Sequence, residues 1–252
     1  MTLNQAYVLA PFHQLLTNCQ TNVLMGLRLV ERIDAFPDPT PEELRFLNLS
    51  FGARAHDLIE NKTSFKKWIL RNGLGDIHKS IRTTLERFFV FKSIEQRLAT
   101  NPKLNLAENE IELRAKARGF HLPKLIATVP SLCGEPLQFQ NHVESFNNAR
   151  NCLEHENGMV TKRRCNNPAK DKLLLQGHRF RMFFKSGEAH VAAQIGKPGP
   201  ENAALMLGAE DFQIGFAINQ SIELSHEQFI DILSTCIFFR ADIETKLAKK
   251  IA

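Results

Sequence analysis

The sequence predicts a mainly α protein: a helical bundle that carries a small antiparallel β insertion ahead of its C-terminal helix. Three observations support this. Apolar residues recur at three-and-four spacing through most of the stretch up to His155, as amphipathic helices require. The period changes to two over Leu173 to Lys185, where Phe180, Met182 and Phe184 alternate with Arg179, Arg181 and Phe183. Ser225-His226-Glu227-Gln228 then reads as a capping box that opens a last helix. With 252 residues, 43% of them hydrophobic and 23% charged, the chain can bury a substantial core without disulfide or metal staples.

Taken in order, Phe12, Leu16, Cys19, Val23, Leu27 and Val30 describe one long helix within Leu3 to Ile33, starting near Pro11. Phe36 to Glu43 is a Pro-rich turn ending in a start signal, with Thr40 as N-cap, Pro41 at the first helical position and Glu43 closing a capping box. That helix runs to Ile59, and a short one over Phe65 to Leu70 precedes a break at Asn72-Gly73-Leu74-Gly75. Ile77, Ile81, Leu85, Phe88, Phe89, Ile94 and Leu98 give another long helix, from Asp76 to Asn101-Pro102. Ala107 to Arg118 is charged and helix-prone, Gly119 to Gly134 has a weaker pattern, and Pro136 to His155 forms a polar helix.

Further strands are expected at Ala189 to Ile195 and Phe212 to Ile222. Between them Gly196-Lys197-Pro198-Gly199-Pro200 is a loop without the spacing of a phosphate-binding loop. The last helix turns Phe229, Ile232, Leu233, Cys236, Ile237, Ile243 and Leu247 inward. The organisation read from this is an N-terminal helical region of unassigned role over residues 1–75, packed on a unit over 76–252 whose β-rich insertion spans about 172–224.

No apolar run approaches the roughly 20 residues of a membrane helix, and Met1 to Ala10 lacks the marks of a signal peptide, so a cytoplasmic location is expected. Cys19, Cys133, Cys152, Cys165 and Cys236 include no C-x-x-C pair and read as reduced thiols. Cys152, His155, Cys165 and His178 have gaps that match no common zinc spacing, so neither metal nor cofactor is expected.

The net charge of +5 is unevenly distributed. Val160 to Gly187 holds eight basic residues against one acid, Asp171, while the rest of the chain sums to −2. Lys162, Arg163, Arg164, Lys172, Arg179 and Arg181 in this window are candidate contacts for a polyanion, the simpler reading being a solvated loop and strand face.

This window follows the stretch Ala149-Arg150-Asn151-Cys152-Leu153-Glu154-His155-Glu156-Asn157-Gly158. At about 100° per residue, Arg150, Glu154, Asn151 and His155 fall on one arc, opposite Phe146, Ala149 and Leu153. A fixed cation and a titratable imidazole are thus displayed together. The simpler reading is an Arg150–Glu154 surface pair with His155 favouring the negative helix end.

Arg150-Asn151 followed by His155 resembles the R-x(4 to 6)-H signature of the HEPN superfamily, and Asn157-Gly158 resembles its helix end. The β-hairpin and capped final helix are also similar to several members, so the resemblance covers Asp76 to Ala252. It implies an HEPN-like helical bundle and a metal-independent endoribonuclease of the kind that serves as a toxin or phage-defence effector. Arg150, His155 and Asn151 would be catalytic, cleaving by 2′-hydroxyl attack to leave 2′,3′-cyclic phosphate and 5′-hydroxyl ends. The resemblance further implies RNA as substrate, a homodimer with a composite site, and a regulatory or antitoxin protein. The alternatives are a non-catalytic module of this type binding RNA, nucleotide or protein, and a structural dimerisation subunit. The role of Glu154 is left open.

Overall fold

The computed structural model describes residues 4–32, 34, 58–186, 189–193, 198–200 and 203–249. They form a mainly helical molecule with one three-stranded antiparallel sheet. The expected Thr40-capped helix lies outside the described residues. Helix α1 (Gln5–Asn18) passes through a wider π-helical segment, Cys19–Leu24, into α2 (Met25–Arg32). It starts earlier than Pro11 because the Asn4 side chain accepts from Tyr7 N at 2.8 Å, which satisfies one of the orphan donors of the first turn.

Pro11 therefore sits inside the helix, where its missing N–H leaves the Tyr7 carbonyl, four residues back, without a helical donor. Arg87 Nη1 supplies one at 2.6 Å, and its guanidinium lies 4.2 Å from the Tyr7 ring centre.

Helix α3 (Leu58–Thr100) runs unbroken through Asn72-Gly73-Leu74-Gly75, where the sequence predicts a stop. Ile69, Leu70, Leu74, Ile77 and Ile81 carry one buried stripe across it, and this tertiary burial outweighs the roughly 1 kcal/mol cost of each interior glycine. Gly73 has a packing role: a Cβ there would stand 2.7 Å from Phe229 Cζ and 3.0 Å from Val23 Cγ2.

Helices α4 (Leu106–Arg118), α5 (Leu122–Cys133) and α6 (Gln140–His155) follow, and α3 packs against all three. The last helix, α7 (His226–Ala248), opens with the predicted box: Ser225 Oγ accepts from Gln228 N at 3.2 Å, and Gln228 Oε1 from Ser225 N at 2.8 Å. Ile237, expected inside, is exposed; Phe239 is buried instead, its ring 5.7 Å from that of Phe12. The buried Lys246 and Asp242 pair on α7, and Asp242 Oδ2 also accepts from Gln138 N at 2.9 Å, which fixes the chain just before α6.

The sheet has the order β2-β1-β3, from β1 (Lys172–Ser186), β2 (Ala189–Ala192) and β3 (Ala204–Ala217). The third strand begins before Phe212, because Ala204 to Asp211 pair with Lys185 to His178 of β1, and it ends before Ile222 at a turn through Asn219. Leu173, Leu175, Phe212 and Phe216 are buried against the helices. Phe180, Met182, Leu205 and Leu207, further along the same pair of strands, are exposed. A single buried cluster contains Val8 to Val30, the α3 stripe, and residues of α6, the sheet and α7.

Candidate functional site

Helix α6 presents the arc expected from its sequence. Val143, Phe146, Ala149, Cys152 and Leu153 are buried, and Arg150, Asn151, Glu154 and His155 lie away from them. The helix ends where Asn157 and Gly158 take positive φ of 52° and 81°, conformations suited to Asn and Gly. Glu156 N and Gly158 N both donate to Cys152 O, at 3.0 and 2.9 Å. The chain beyond is tied to the β3–α7 connection by Ile222 N donating to Gly158 O at 2.8 Å and Val160 N donating to Gln220 O at 3.0 Å. The segment carrying His155 is thereby held at both ends of its turn.

Arg150 is ion-paired with Glu154, donates from Nη1 to Asn151 Oδ1 at 3.0 Å, and keeps a buried Nε with no hydrogen-bond partner. Glu154 Oε2 also lies 3.8 Å from His155 Nε2. The exposures differ in a useful way: the Arg150 side chain is 24% exposed and that of His155 56%, so the cation is set back and the imidazole projects.

The α3 helix supplies the opposing wall. A Cβ at Gly75 would stand 3.8 Å from Glu154 Oε1, and His78 and Arg82 follow Gly75 at the three-and-four spacing of one helix face. Arg82 is anchored by Glu86 at 2.9 Å and by the Arg118 carbonyl at 3.1 Å. His78 is half-buried, and its pKa is lowered from the ordinary imidazole value, first by burial and then by the Arg150 and Arg82 cations, with Glu154 opposing. Its neutral form is favoured. Motif spacing gives no sign of His78, because it belongs to another helix; its signal is its position three residues after Gly75 on the α3 face that meets Glu154.

The basic window folds into two separate places. Lys162–Arg164 form a 3-10 turn against the end of α6, where Arg163 pairs with Glu156 at 2.7 Å and Arg164 lies 3.8 Å from the same carboxylate. Arg179 and Arg181 do not join them. The His178 ring is 5.0 Å from that of His142 near the start of α6, and His155 lies thirteen residues further along, about 20 Å at 1.5 Å per residue. There Arg179 and Arg181 both bond Glu210, at 3.0 and 2.6 Å, and Arg179 reaches Asp231 at 3.4 Å. Much of the window's excess charge is thus answered by acids from outside it, while no ion pair among the described residues reaches Lys162 or Lys172.

Of the cysteine–histidine set, Cys152 and Cys165 lie near one another about Thr161, with the Cys152 thiol pKa pushed up chiefly by burial, whereas His155 projects to solvent and His178 holds Asp211 at 2.5 Å. Among the described residues no three histidines, cysteines or acids are grouped to hold a metal ion, and no helix is long and apolar enough to cross a membrane. The arrangement therefore offers one fixed cation, one projecting imidazole and one imidazole held towards neutrality. Comparison of the chain with protein-family models, with curated proteins and with solved structures gives no match.

Proposed function

We propose that this chain is a metal-independent endoribonuclease of the HEPN type, with its active site where the end of α6 meets α3. The observation that carries this reading is that Arg150 and His155 both lie against one carboxylate, Glu154, where α6 meets the Gly75 turn of α3, the helix that also carries His78. Cleavage by the ribose 2′-hydroxyl needs a base for that hydroxyl, an acid for the departing 5′-oxygen, and a cation for the phosphoryl oxygens. His78, held towards its neutral form, accepts the 2′ proton. His155 gives a proton to the 5′-oxygen as the P–O bond breaks, leaving a 2′,3′-cyclic phosphate and a 5′-hydroxyl. Arg150 bonds the non-bridging oxygens through its fork, and Asn151 orients it through the Nη1 contact.

Glu154 acts as a restraint in this scheme, because phosphate must displace it from Arg150. Lys162, Arg163 and Arg164 at the end of α6 hold the RNA backbone and make binding salt-dependent. A second copy facing the same helix end would double the set, and a regulatory protein covering His155 would silence it.

The test is cleavage of RNA by the purified chain in EDTA, with the product ends identified. Arg150→Ala and His155→Ala each abolish cyclic-phosphate formation while circular dichroism shows the fold retained. A metal requirement, or activity unchanged in both variants, refutes the mechanism. The Arg150–Glu154 pair favours one other reading, a non-catalytic RNA-binding module in which the cation is already neutralised. Tight binding without any cyclic-phosphate product selects it.

A further inference from the structure

Away from this site, α1 and α3, joined at one end by α4, line two adjoining open clefts of about 150 and about 290 Å³, which meet at Thr83 and Arg87. The smaller is cationic. The guanidiniums of Arg87 and Arg114 stand 4.2 and 5.3 Å from the centre of one Tyr7 ring, and Arg118 lines the same wall. Against these the lining offers Glu86, whose carboxylate is already held by Arg82 at 2.9 Å. Arg114 shares its charge with Glu110 at 2.6 Å, whereas Arg118 makes no ion pair among the described residues. Cations gathered in a concave space repel one another and concentrate a positive potential that an anion relieves.

The larger cleft has a different lining. Gln14, Asn18, Ser80 and Thr83 present amides and hydroxyls, and Asp76, Lys79 and Arg87 share the lining, with no aromatic face. Such a surface hydrogen-bonds hydroxyl groups and offers nothing for a nucleobase to stack upon. Together the two spaces fall within the roughly 300–1,000 Å³ of small-ligand sites.

We propose that they form one binding site for a small phosphorylated polyhydroxyl compound of the sugar-phosphate class. Its phosphate lies among Arg87, Arg114 and Arg118, where guanidinium forks match phosphate oxygens, and its hydroxyls lie against Asn18, Ser80 and Thr83. This assignment does not rest on the proposed ribonuclease activity.

Calorimetric titration of the full chain with inorganic phosphate, ribose 5-phosphate, ribose and AMP tests it. Phosphate binds weakly, ribose 5-phosphate at least about tenfold tighter, the equivalent of one good hydrogen bond, and ribose without phosphate does not bind. Arg118→Gln, a change at an exposed residue, weakens both phosphate ligands, while Ser80→Ala with Thr83→Val reduces ribose 5-phosphate towards the affinity of phosphate alone. No binding of either phosphate ligand, or binding unchanged by Arg118→Gln, overturns the site. Equal affinities for phosphate and ribose 5-phosphate, or tighter binding of AMP than of ribose 5-phosphate, overturns the assigned ligand class.

Discussion

The contact between Arg87 and the Tyr7 carbonyl repairs a defect that Pro11 creates, and the repair can be measured. An interior proline removes the N–H that would have met the carbonyl four residues back, and Arg87 Nη1 at 2.6 Å takes its place. Replacing Arg87 with Met removes a charge-assisted hydrogen bond of about 1.5–3 kcal/mol and a cation–π contact of about 0.5–1 kcal/mol. The expected loss is about 2–4 kcal/mol, or roughly 4–16 °C in melting temperature at 2–4 °C per kcal/mol for a chain of this size. In a Pro11→Ala background the helix supplies its own donor to Tyr7, so the hydrogen-bond part of the loss disappears and about 0.5–1 kcal/mol remains.

A double-mutant cycle by urea denaturation isolates the coupling, because the effect of Pro11→Ala on the unfolded chain cancels between its two arms. A coupling near 1.5–3 kcal/mol is expected. If Arg87→Met costs the same with and without Pro11, the carbonyl was never in need of a donor and the argument fails.

Three further outcomes follow from the packing and the site. Gly73→Ala places a methyl 2.7 Å from Phe229 Cζ, so it destabilises by about 1–3 kcal/mol despite the better helix propensity of alanine; a stabilised variant in denaturant titration would refute the close approach. Lys92, fully buried, donates to the Leu247 and Lys249 carbonyls at 3.2 and 2.6 Å, so Lys92→Met costs about 1–3 kcal/mol and speeds amide exchange in the last turn of α7, against unchanged exchange if the contact is idle. His78 has a folded pKa below its unfolded value, so the unfolded chain binds more protons and stability falls as pH drops through 6.5 towards the folded pKa. In NMR titration Arg150→Gln raises the His78 pKa and Glu154→Gln lowers it, the opposite signs of the charges removed; a midpoint indifferent to both would separate His78 from the site.

Those predictions rest on features that the sequence shows unequally. The Ser225 box, the inner face of α6 and its Asn157-Gly158 stop were legible because each is local: a cap, a stripe and two residues tolerant of positive φ. The break at Gly73 and Gly75 was misread because propensity counts only what a glycine costs the helix, whereas Phe229 and Val23 reward the missing side chain from elsewhere in the fold. Ala204 to Ala209 has no strand alternation of its own and becomes extended through its pairing with Phe180 to Lys185, which no short window of sequence contains.

The same distinction between local and non-local applies to the candidate site. Arg150, Glu154 and His155 were visible together because one helix turn joins them, and the structure adds that Glu154 occupies Arg150 and approaches the exposed imidazole. The charge excess after Val160 looked like a single surface because charge was counted along the chain. Folding divides it between the end of α6 and a strand pair near the helix's start, and sets Glu156, Glu210 and Asp231 against it. What remains beside the motif is a smaller electrostatic field than the composition implied, and a second imidazole that it did not. In the proposed ribonuclease, activity consequently depends less on long-range attraction of a polyanion than on whether phosphate can displace one carboxylate from one arginine. Under the proposed ribonuclease reading, an incoming phosphate that displaces Glu154 gains Lys162, which no ion pair among the described residues reaches, whereas Arg163 and Arg164 must also be drawn from Glu156.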